Sequence, residues 1–146
     1  MNKREEFHQE LMRCFWALNA AERYALEDDL TLNEVHLIEC VFDSLTTASN
    51  NFSTIASKMG VTLGTLSTSF ARLEKKGYLK KERYLVDQRV YYIKPTAKAK
   101  AVHDRHMKWH YDMLDESTTE AQYNQFIALF KNFTKTFTNA LTKPKS

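Results

Sequence analysis

Residues 60–78 combine helical hydrophobic spacing with many small hydroxyl-bearing side chains. On a helix, with about 100° between residues, the face opposite the apolar stripe carries small and basic side chains. Hydroxyl groups can bind base edges and phosphates, and the threonine methyl group can contact thymine. A glycine on this face lets the backbone approach a groove closely. The stretch therefore predicts a DNA-reading helix with these contact residues: Thr62, Gly64, Thr65, Ser67, Thr68, Ser69 and Arg72. For Ser67 and Ser69 taken alone, an ordinary solvated helix face is the favoured alternative.

A basic segment follows Gly77, where the hydrophobic period changes from about 3.6 to about 2. This change predicts two strands, at 78–84 and 90–94, joined as a hairpin. Between them, a carboxylate two residues before an arginine can hold the guanidinium toward a narrow minor groove, where the potential is most negative. The alternative is a surface ion pair of little energetic value. The predicted contacts of the hairpin are Lys80, Lys81, Arg83, Asp87 and Arg89.

Charge is distributed unevenly along the chain. Residues 53–105 carry twelve Lys and Arg against four Asp and Glu, a net charge of +8, whereas the remaining residues carry nine against fourteen, a net charge of −5. A basic centre between acidic flanks indicates a polyanion-binding surface. Two helices joined by a tight turn at Gly60 and followed by a hairpin are typical of a winged helix-turn-helix.

Further helices are predicted before this region. The first spans residues 3–28, where apolar residues recur at spacings of three and four. The second begins at a capping box formed by Thr31 and Glu34. A short helix at 53–59 has Ser53 as its predicted N-cap and ends at Gly60.

Two more helices are predicted after the hairpin. One starts at Thr96 and runs through Leu114, and the last is opened by a second capping box formed by Ser117 and Glu120. Four phenylalanines follow at spacings of four, three and four, and we expect them to be buried in the monomer core or across a two-fold interface. They are Phe126, Phe130, Phe133 and Phe137. The predicted fold is thus mainly α with a small β-hairpin wing, in a single domain over residues 1–146.

Several classes of protein are disfavoured. No apolar run approaches a membrane span, and the first seven residues resemble neither a signal peptide nor a lipidation motif, so we expect a cytoplasmic protein without membrane contact. No nucleophile–base pair or paired carboxylates converge in the sequence. We therefore predict no catalytic residues, no enzymatic activity and no cofactor.

The residues at 61–78, the Asp87-x-Arg89 motif and the long flanking helices resemble the MarR family of winged-helix regulators over nearly the whole chain. Within that family, residues 61–78 and 103–110 are most similar to the FabT-type repressors of fatty-acid synthesis genes. The wing departs from the family pattern at 84–86, where apolar residues stand in place of polar ones.

This resemblance implies a homodimeric transcriptional repressor that binds double-stranded DNA at a palindromic, AT-rich operator, with acyl-acyl carrier protein as corepressor. It also implies a division of the chain into a DNA-binding lobe at 31–95, a helical dimerisation region at 1–30 and 96–141, and a tail at 142–146. A sequence-neutral architectural protein that binds DNA or RNA is a second possibility from the residues alone, although such proteins are usually more basic.

The histidines support a competing interpretation. His106 and His110 are four residues apart, which is chelating geometry on a helix, and with Glu22 and His36 they would complete a zinc site. The zinc-responsive branch of the MarR family resembles this arrangement. The alternative is that His106 is a packed histidine, because it shares a helical face with apolar residues. No cysteine pair supports a metal site, so we predict no metal here.

An effector pocket is predicted between the first two helices. Apolar residues on both helices could form the wall of an apolar tunnel, although the same residues could simply be core. His36 and His106 could have a structural role or belong to this pocket. The predicted pocket residues are Phe15, Leu18, Val35, His36, Ile38, Phe42 and His106.

Overall fold

The computed structural model describes residues 1–26, 29–47, 49–87 and 89–144. These ranges form six helices and one antiparallel pair of strands, which confirms the predicted mainly helical fold with a hairpin wing. The elements are α1 (Lys3–Tyr24), α2 (Leu32–Leu45), α3 (Phe52–Met59), α4 (Leu63–Lys75), β1 (Leu79–Arg83), β2 (Tyr91–Pro95), α5 (Ala97–Ser117) and α6 (Glu120–Ala140). The predicted first helix and the predicted tail include residues 27–28 and 145–146, which lie outside the described ranges. None of the described helices combines the length and apolar character needed to span a membrane.

The chain divides into two compact units, residues 1–104 and 105–146. The first unit contains a hydrophobic core in which side chains from α2, α3, α4 and the hairpin pack against the first turns of α5. Among the members of this core are Leu37, Ile38, Val41, Ile55, Leu66, Leu73, Leu79, Ile93 and Ala99. Of the four residues predicted to form the buried side of α4, Leu66, Phe70 and Leu73 are buried, whereas Leu63 in the first turn is 52% exposed. The opposite face of the helix points to solvent.

Two glycines end the helices of the helix-turn-helix. Gly60 has a φ of 69° and Gly77 a φ of 84°, values that disfavour residues with a Cβ. The Gly60 N–H donates to Ser57 O at 3.1 Å, and the Gly77 N–H donates to Glu74 O at 3.0 Å. The two positions set where α3 and α4 stop, and so where the turn and the hairpin begin.

The structure corrects two predicted caps. Asn51, not Ser53, is the N-cap of α3, since the Thr54 N–H donates to Asn51 Oδ1 at 2.8 Å. The box before α6 forms two residues later than predicted, with the Thr119 N–H donating to Gln122 Oε1 at 2.9 Å. Ser117 belongs to the last turn of α5.

The cap of α2 also differs from the prediction. Its first half forms, because the Glu34 N–H donates to Thr31 Oγ1 at 3.2 Å. The Glu34 carboxylate instead accepts from Lys76 Nζ at 2.9 Å. This pair, whose Glu34 side chain is 6% exposed, ties the start of α2 to the residue that follows α4.

The hairpin is attached to the loop before α3 through Asn50. The strands pair from Leu79 opposite Pro95 to Arg83 opposite Tyr91. In the middle of β2, the Ile93 N–H donates to Asn50 O at 2.8 Å, and Asn50 Nδ2 donates to Ile93 O at 2.9 Å. Because Asn50 is buried, these hydrogen bonds are shielded from water and hold the wing at a fixed position beside α3.

Candidate nucleic-acid interface

The polar face of α4 is presented to solvent by the burial of Leu66, Phe70 and Leu73. Six of the seven predicted contact residues are exposed, and Ser69 is half-buried at the edge of the face. The exposed members are Thr62, Gly64, Thr65, Ser67, Thr68 and Arg72. The face predicted from helical periodicity is therefore continuous and uncovered in the first unit.

Internal hydrogen bonds determine what the threonines can offer to a ligand. Thr62 Oγ1 accepts from the Thr65 N–H at 3.1 Å and donates to Thr65 Oγ1 at 3.0 Å. Thr68 Oγ1 donates to Gly64 O at 3.1 Å. With its proton engaged inside the helix, the Thr68 hydroxyl presents an acceptor and a methyl group, which suit an adenine amino group and a thymine methyl group.

Gly64 has no role in the fold that requires a glycine. Its φ lies outside the left-handed region, and a Cβ added there would meet only Thr62 Oγ1, at 3.9 Å, an ordinary van der Waals distance. Glycine is nevertheless a poor helix former. The absence of a side chain at Gly64 is therefore best explained by close approach of an external surface.

A Gly64→Ala substitution separates fold from function. We expect the variant to be as stable as the original protein or more stable, by up to about 1 kcal/mol in the free energy of unfolding, because alanine favours the helix. We expect its binding to duplex DNA to weaken, because the methyl group holds the backbone away from the groove. Urea unfolding measures the free energy of unfolding, and fluorescence anisotropy measures DNA binding.

Gly60→Ala is the control, since the positive φ of Gly60 predicts that this variant loses stability. Unweakened DNA binding by Gly64→Ala would contradict this role.

At the wing, Asp87 holds Arg89 through three hydrogen bonds. The Arg89 N–H and Nε donate to Asp87 Oδ1 at 3.0 and 3.1 Å, and Nη2 donates to Oδ2 at 3.3 Å. Hydrogen bonds from the Arg89 side chain and then from its backbone lower the pKa of Asp87, so the carboxylate is ionised at neutral pH. The Arg89 side chain is 91% exposed, and the pairing fixes the guanidinium while leaving it accessible to a ligand.

The three predicted basic residues of β1 do not share one face. Arg83 Nε donates to Tyr91 Oη at 2.8 Å, and Lys81 Nζ lies 5.1 Å from the centre of the Tyr91 ring. Lys80, which precedes Lys81 in the strand, points to the other side of the two-stranded sheet. Lys81 and Arg83 therefore form one basic strip with Tyr91.

An open cleft of about 600 Å³ separates the start of α3 from the wing. Hydroxyl groups of Ser53 and Thr54 line it on one side and Arg89 lies on the other. Hydroxyl, backbone N–H and guanidinium groups are those that bind phosphate in protein–DNA complexes. Sequence reasoning missed these two residues because it gave Ser53 a capping role; the polar run before α3 was the available signal.

The residues predicted for an effector pocket have three different environments in the first unit. Val35 and Ile38 are core residues with 2% and 0% exposure, whereas Phe15 and Leu18 on α1 are 56% and 41% exposed. Phe42 stacks on the ring of His103, with ring centres 4.2 Å apart. The structure thus does not bring these five α1 and α2 residues to one surface within this unit, and the pocket remains a prediction.

Two acidic residues and a histidine form a polar cluster in the same unit. His36 Nε2 lies 2.7 Å from Glu22 Oε2, and the Glu22 side chain is 6% exposed. Burial raises the pKa of Glu39, with His36 opposing and Glu22 adding to this effect. The predicted ligands Glu22 and His36 are therefore in direct contact, an arrangement that serves equally as a hydrogen bond between a buried carboxylate and a half-buried histidine.

The other two predicted zinc ligands lie in the second unit. His106 Nε2 and His110 Nε2 are 3.0 Å apart, and the His106 ring also stacks on Trp109. Two Zn–N bonds of about 2.0–2.1 Å at a tetrahedral angle hold their nitrogens roughly 3.4 Å apart, so the spacing of the two histidine nitrogens is close to the one that a shared ion would require. His106 is buried, as expected for a packed histidine, and the same distance fits a hydrogen bond between neutral rings.

Comparisons with known proteins agree with this geometry. Residues 30–91, which contain the helix-turn-helix and most of the wing, match the model of the MarR family. No curated protein sequence matches the chain at a significant level.

Solved structures share the fold. Streptococcus pneumoniae FabT in complex with DNA has a TM-score of 0.77 and 24% identity, covering 94% of this chain and 99% of that one. A MarR protein from Peptoclostridium difficile has a TM-score of 0.70 and 17% identity, covering 95% and 92%. The S. aureus MepR–DNA complex has a TM-score of 0.67 and 17% identity, covering 89% and 97%. At these identities the structures establish the winged-helix fold.

Proposed function

We propose that this chain is a homodimeric winged helix-turn-helix transcriptional repressor of the MarR type that acts on fatty-acid biosynthesis genes, since residues 30–91 match the model of the MarR family. The observation that carries the proposal is the uncovered polar face of α4 beside a wing whose arginine is fixed but exposed. Together they offer a helix for a major groove and a guanidinium for the adjacent minor groove.

A two-fold assembly is supported by the apolar faces of α1 and α6. No residue of α6 is buried within the chain. Its phenylalanines Phe126, Phe130 and Phe137 are 43%, 56% and 62% exposed. On α1, Phe15 and Trp16 are 56% and 62% exposed. Apolar surface of this extent is typical of subunit interfaces. We assign residues 1–30 and 96–141 to dimerisation, 31–95 to DNA binding and 142–146 to a tail.

The proposed ligand is a long-chain acyl-acyl carrier protein, acting as corepressor. It is supported by the similarity of residues 61–78 and 103–110 to FabT-type repressors and by the shared fold with FabT, which was solved in complex with DNA. A corepressor must bind the DNA-competent dimer better than the other form, since a ligand with equal affinity for both shifts nothing.

A zinc-responsive regulator is the second candidate. It is favoured by the facing nitrogens of His106 and His110, and its proposed ligands are Glu22, His36, His106 and His110. For such a regulator, zinc would be required for tight DNA binding, and removal of any one ligand would remove most of the metal affinity.

Operator titrations distinguish the two ligands. We expect added acyl-acyl carrier protein to tighten DNA binding several-fold, within the range of about 5–150-fold typical of allosteric coupling. EDTA and added zinc should leave binding unchanged, and so should His110→Gln, with His8→Gln on α1 as the matched control. DNA binding that requires zinc, is lost in His110→Gln and ignores acyl chains would contradict the acyl proposal and support the zinc-responsive one.

A further inference from the structure

Two apolar residues form the tip of the wing. Leu85 and Val86 are 93% and 83% exposed, so neither contributes much to packing within the chain. Single exposed apolar residues are common on proteins, but two consecutive ones at the end of a basic hairpin are not explained by the fold. Their exposure indicates a surface that is covered in a complex.

The described residues on either side of the apolar pair make hydrogen bonds and ring contacts. The Tyr84 N–H donates to Val90 O at 2.8 Å, which continues the hairpin beyond β1, and the Val90 N–H donates to Asp87 O at 3.0 Å. The Tyr84 ring also packs edge-on against Tyr92, with ring centres 5.1 Å apart. Because the backbone on both sides of the apolar pair is tied down, little ordering is needed when the tip binds.

Positive charge outweighs negative charge around the apolar pair. Exposed Lys81, Arg83 and Arg89 flank it in the hairpin, against the two carboxylates of Glu82 and Asp87. An apolar protein partner would have to desolvate these cations, whereas a DNA groove supplies phosphates for them on both sides. The tip is also continuous with the surface proposed to bind DNA, so the occupant that matches this chemistry is the minor groove.

We infer that Leu85 and Val86 enter the minor groove beside Arg89, pack against the deoxyribose walls and the base edges, and select A·T pairs there. This inference rests on the proposed DNA-binding function. An A·T pair exposes only acceptors in the minor groove, whereas a G·C pair adds the guanine N2 amino group. An apolar side chain placed over the guanine N2 amino group displaces the water bonded to that group and offers no hydrogen bond in its place, so a G·C pair is disfavoured there. Leucine and similar residues are used as apolar wedges by other minor-groove proteins.

The test uses a palindromic duplex selected by the protein itself from a randomised library. In that duplex, the A·T pairs protected by the wing in hydroxyl-radical footprinting are replaced by G·C or by inosine·C. Inosine·C resembles G·C in the major groove but lacks the N2 amino group in the minor groove. We expect the original protein to lose about tenfold in affinity with G·C and to recover it with inosine·C.

The variant L85S/V86S is expected to bind the selected duplex about tenfold more weakly and to distinguish the three duplexes less. Lys143→Ser, which alters an exposed residue of the proposed tail, is the control and should behave as the original protein. If Arg89 alone reads the groove, L85S/V86S keeps full discrimination, and the inference is wrong. A change in the oligomeric state of L85S/V86S with intact discrimination would show that the tip binds a second copy, which also overturns it.

Failure to select any duplex would reject the proposed DNA-binding function and the inference together. Selection of a duplex followed by unchanged binding of L85S/V86S rejects only the inference.

Discussion

A variant in which Phe130 and Phe137 are both replaced by aspartate is expected to be a monomer and to lose operator binding. The two rings lie on one face of α6, a helix without a buried residue in the chain, and so must be covered by another surface. At a two-fold interface, the two substitutions would bring four carboxylates into an apolar contact, where each must be desolvated or protonated. A winged-helix monomer contacts one half-site only, so affinity for a palindrome should fall by orders of magnitude.

The matched control is N124D/K135D, on the opposite face of the same helix, where both residues are exposed. Light scattering coupled to gel filtration should show a dimer for this control and a monomer for F130D/F137D. Circular dichroism checks that both variants keep their helical content. A dimer of F130D/F137D that binds DNA normally would show that α6 is not the interface.

The second large effect is expected for Arg89→Ala. A specific groove contact by an arginine is worth about 1–3 kcal/mol, and a dimer carries two wings, so the loss per dimer should be roughly twice that. The fold should not change, since the Arg89 side chain is 91% exposed and its partner Asp87 lies in the same loop. Anisotropy titrations at fixed salt measure the loss.

Arg13→Ala is the matched control for this variant, because Arg13 is also an exposed arginine paired with a nearby carboxylate, that of Glu10. It should bind DNA like the original protein. Equal affinity of Arg89→Ala and Arg13→Ala would contradict the role of the wing.

Local signals predicted the framework of the fold because they act within a few residues. Gly60 and Gly77 mark helix ends through their own backbone conformations, and Thr62 caps α4 with its own hydroxyl. Where two local signals compete, distant contacts decide between them. Asn50 is held by the hairpin, and its neighbour Asn51 caps α3 in place of Ser53.

The second capping box illustrates the same limit. Both Ser117 with Glu120 and Thr119 with Gln122 satisfy the motif, and the motif itself does not distinguish them. Because α5 continues to Ser117, only the later box can open α6. The length of a helix depends on packing along its whole face, which a four-residue motif does not report.

For the candidate site, helical periodicity was sufficient to identify the exposed face of α4. It could not show that Lys81 and Arg83 share Tyr91 while Lys80 does not, nor that Phe42 stacks on His103, because those relations depend on pairing between distant segments. The contact between Glu22 and His36 could be predicted only in part. Their side-chain chemistry suggested that the two residues act together, but only the structure shows that they are in contact.

The central claim, a regulator that reads DNA sequence, is tested most directly by comparing affinities at physiological salt. The dissociation constants of the selected palindromic duplex and of a scrambled duplex with the same length and composition should be measured with the same protein preparation. The account predicts that two chains bind each palindrome and that the palindrome is preferred by at least about 10³-fold, the lower end for specific DNA-binding proteins. Affinities that agree within a few-fold and fall equally with salt would instead identify a sequence-neutral nucleic-acid-binding protein and contradict the account.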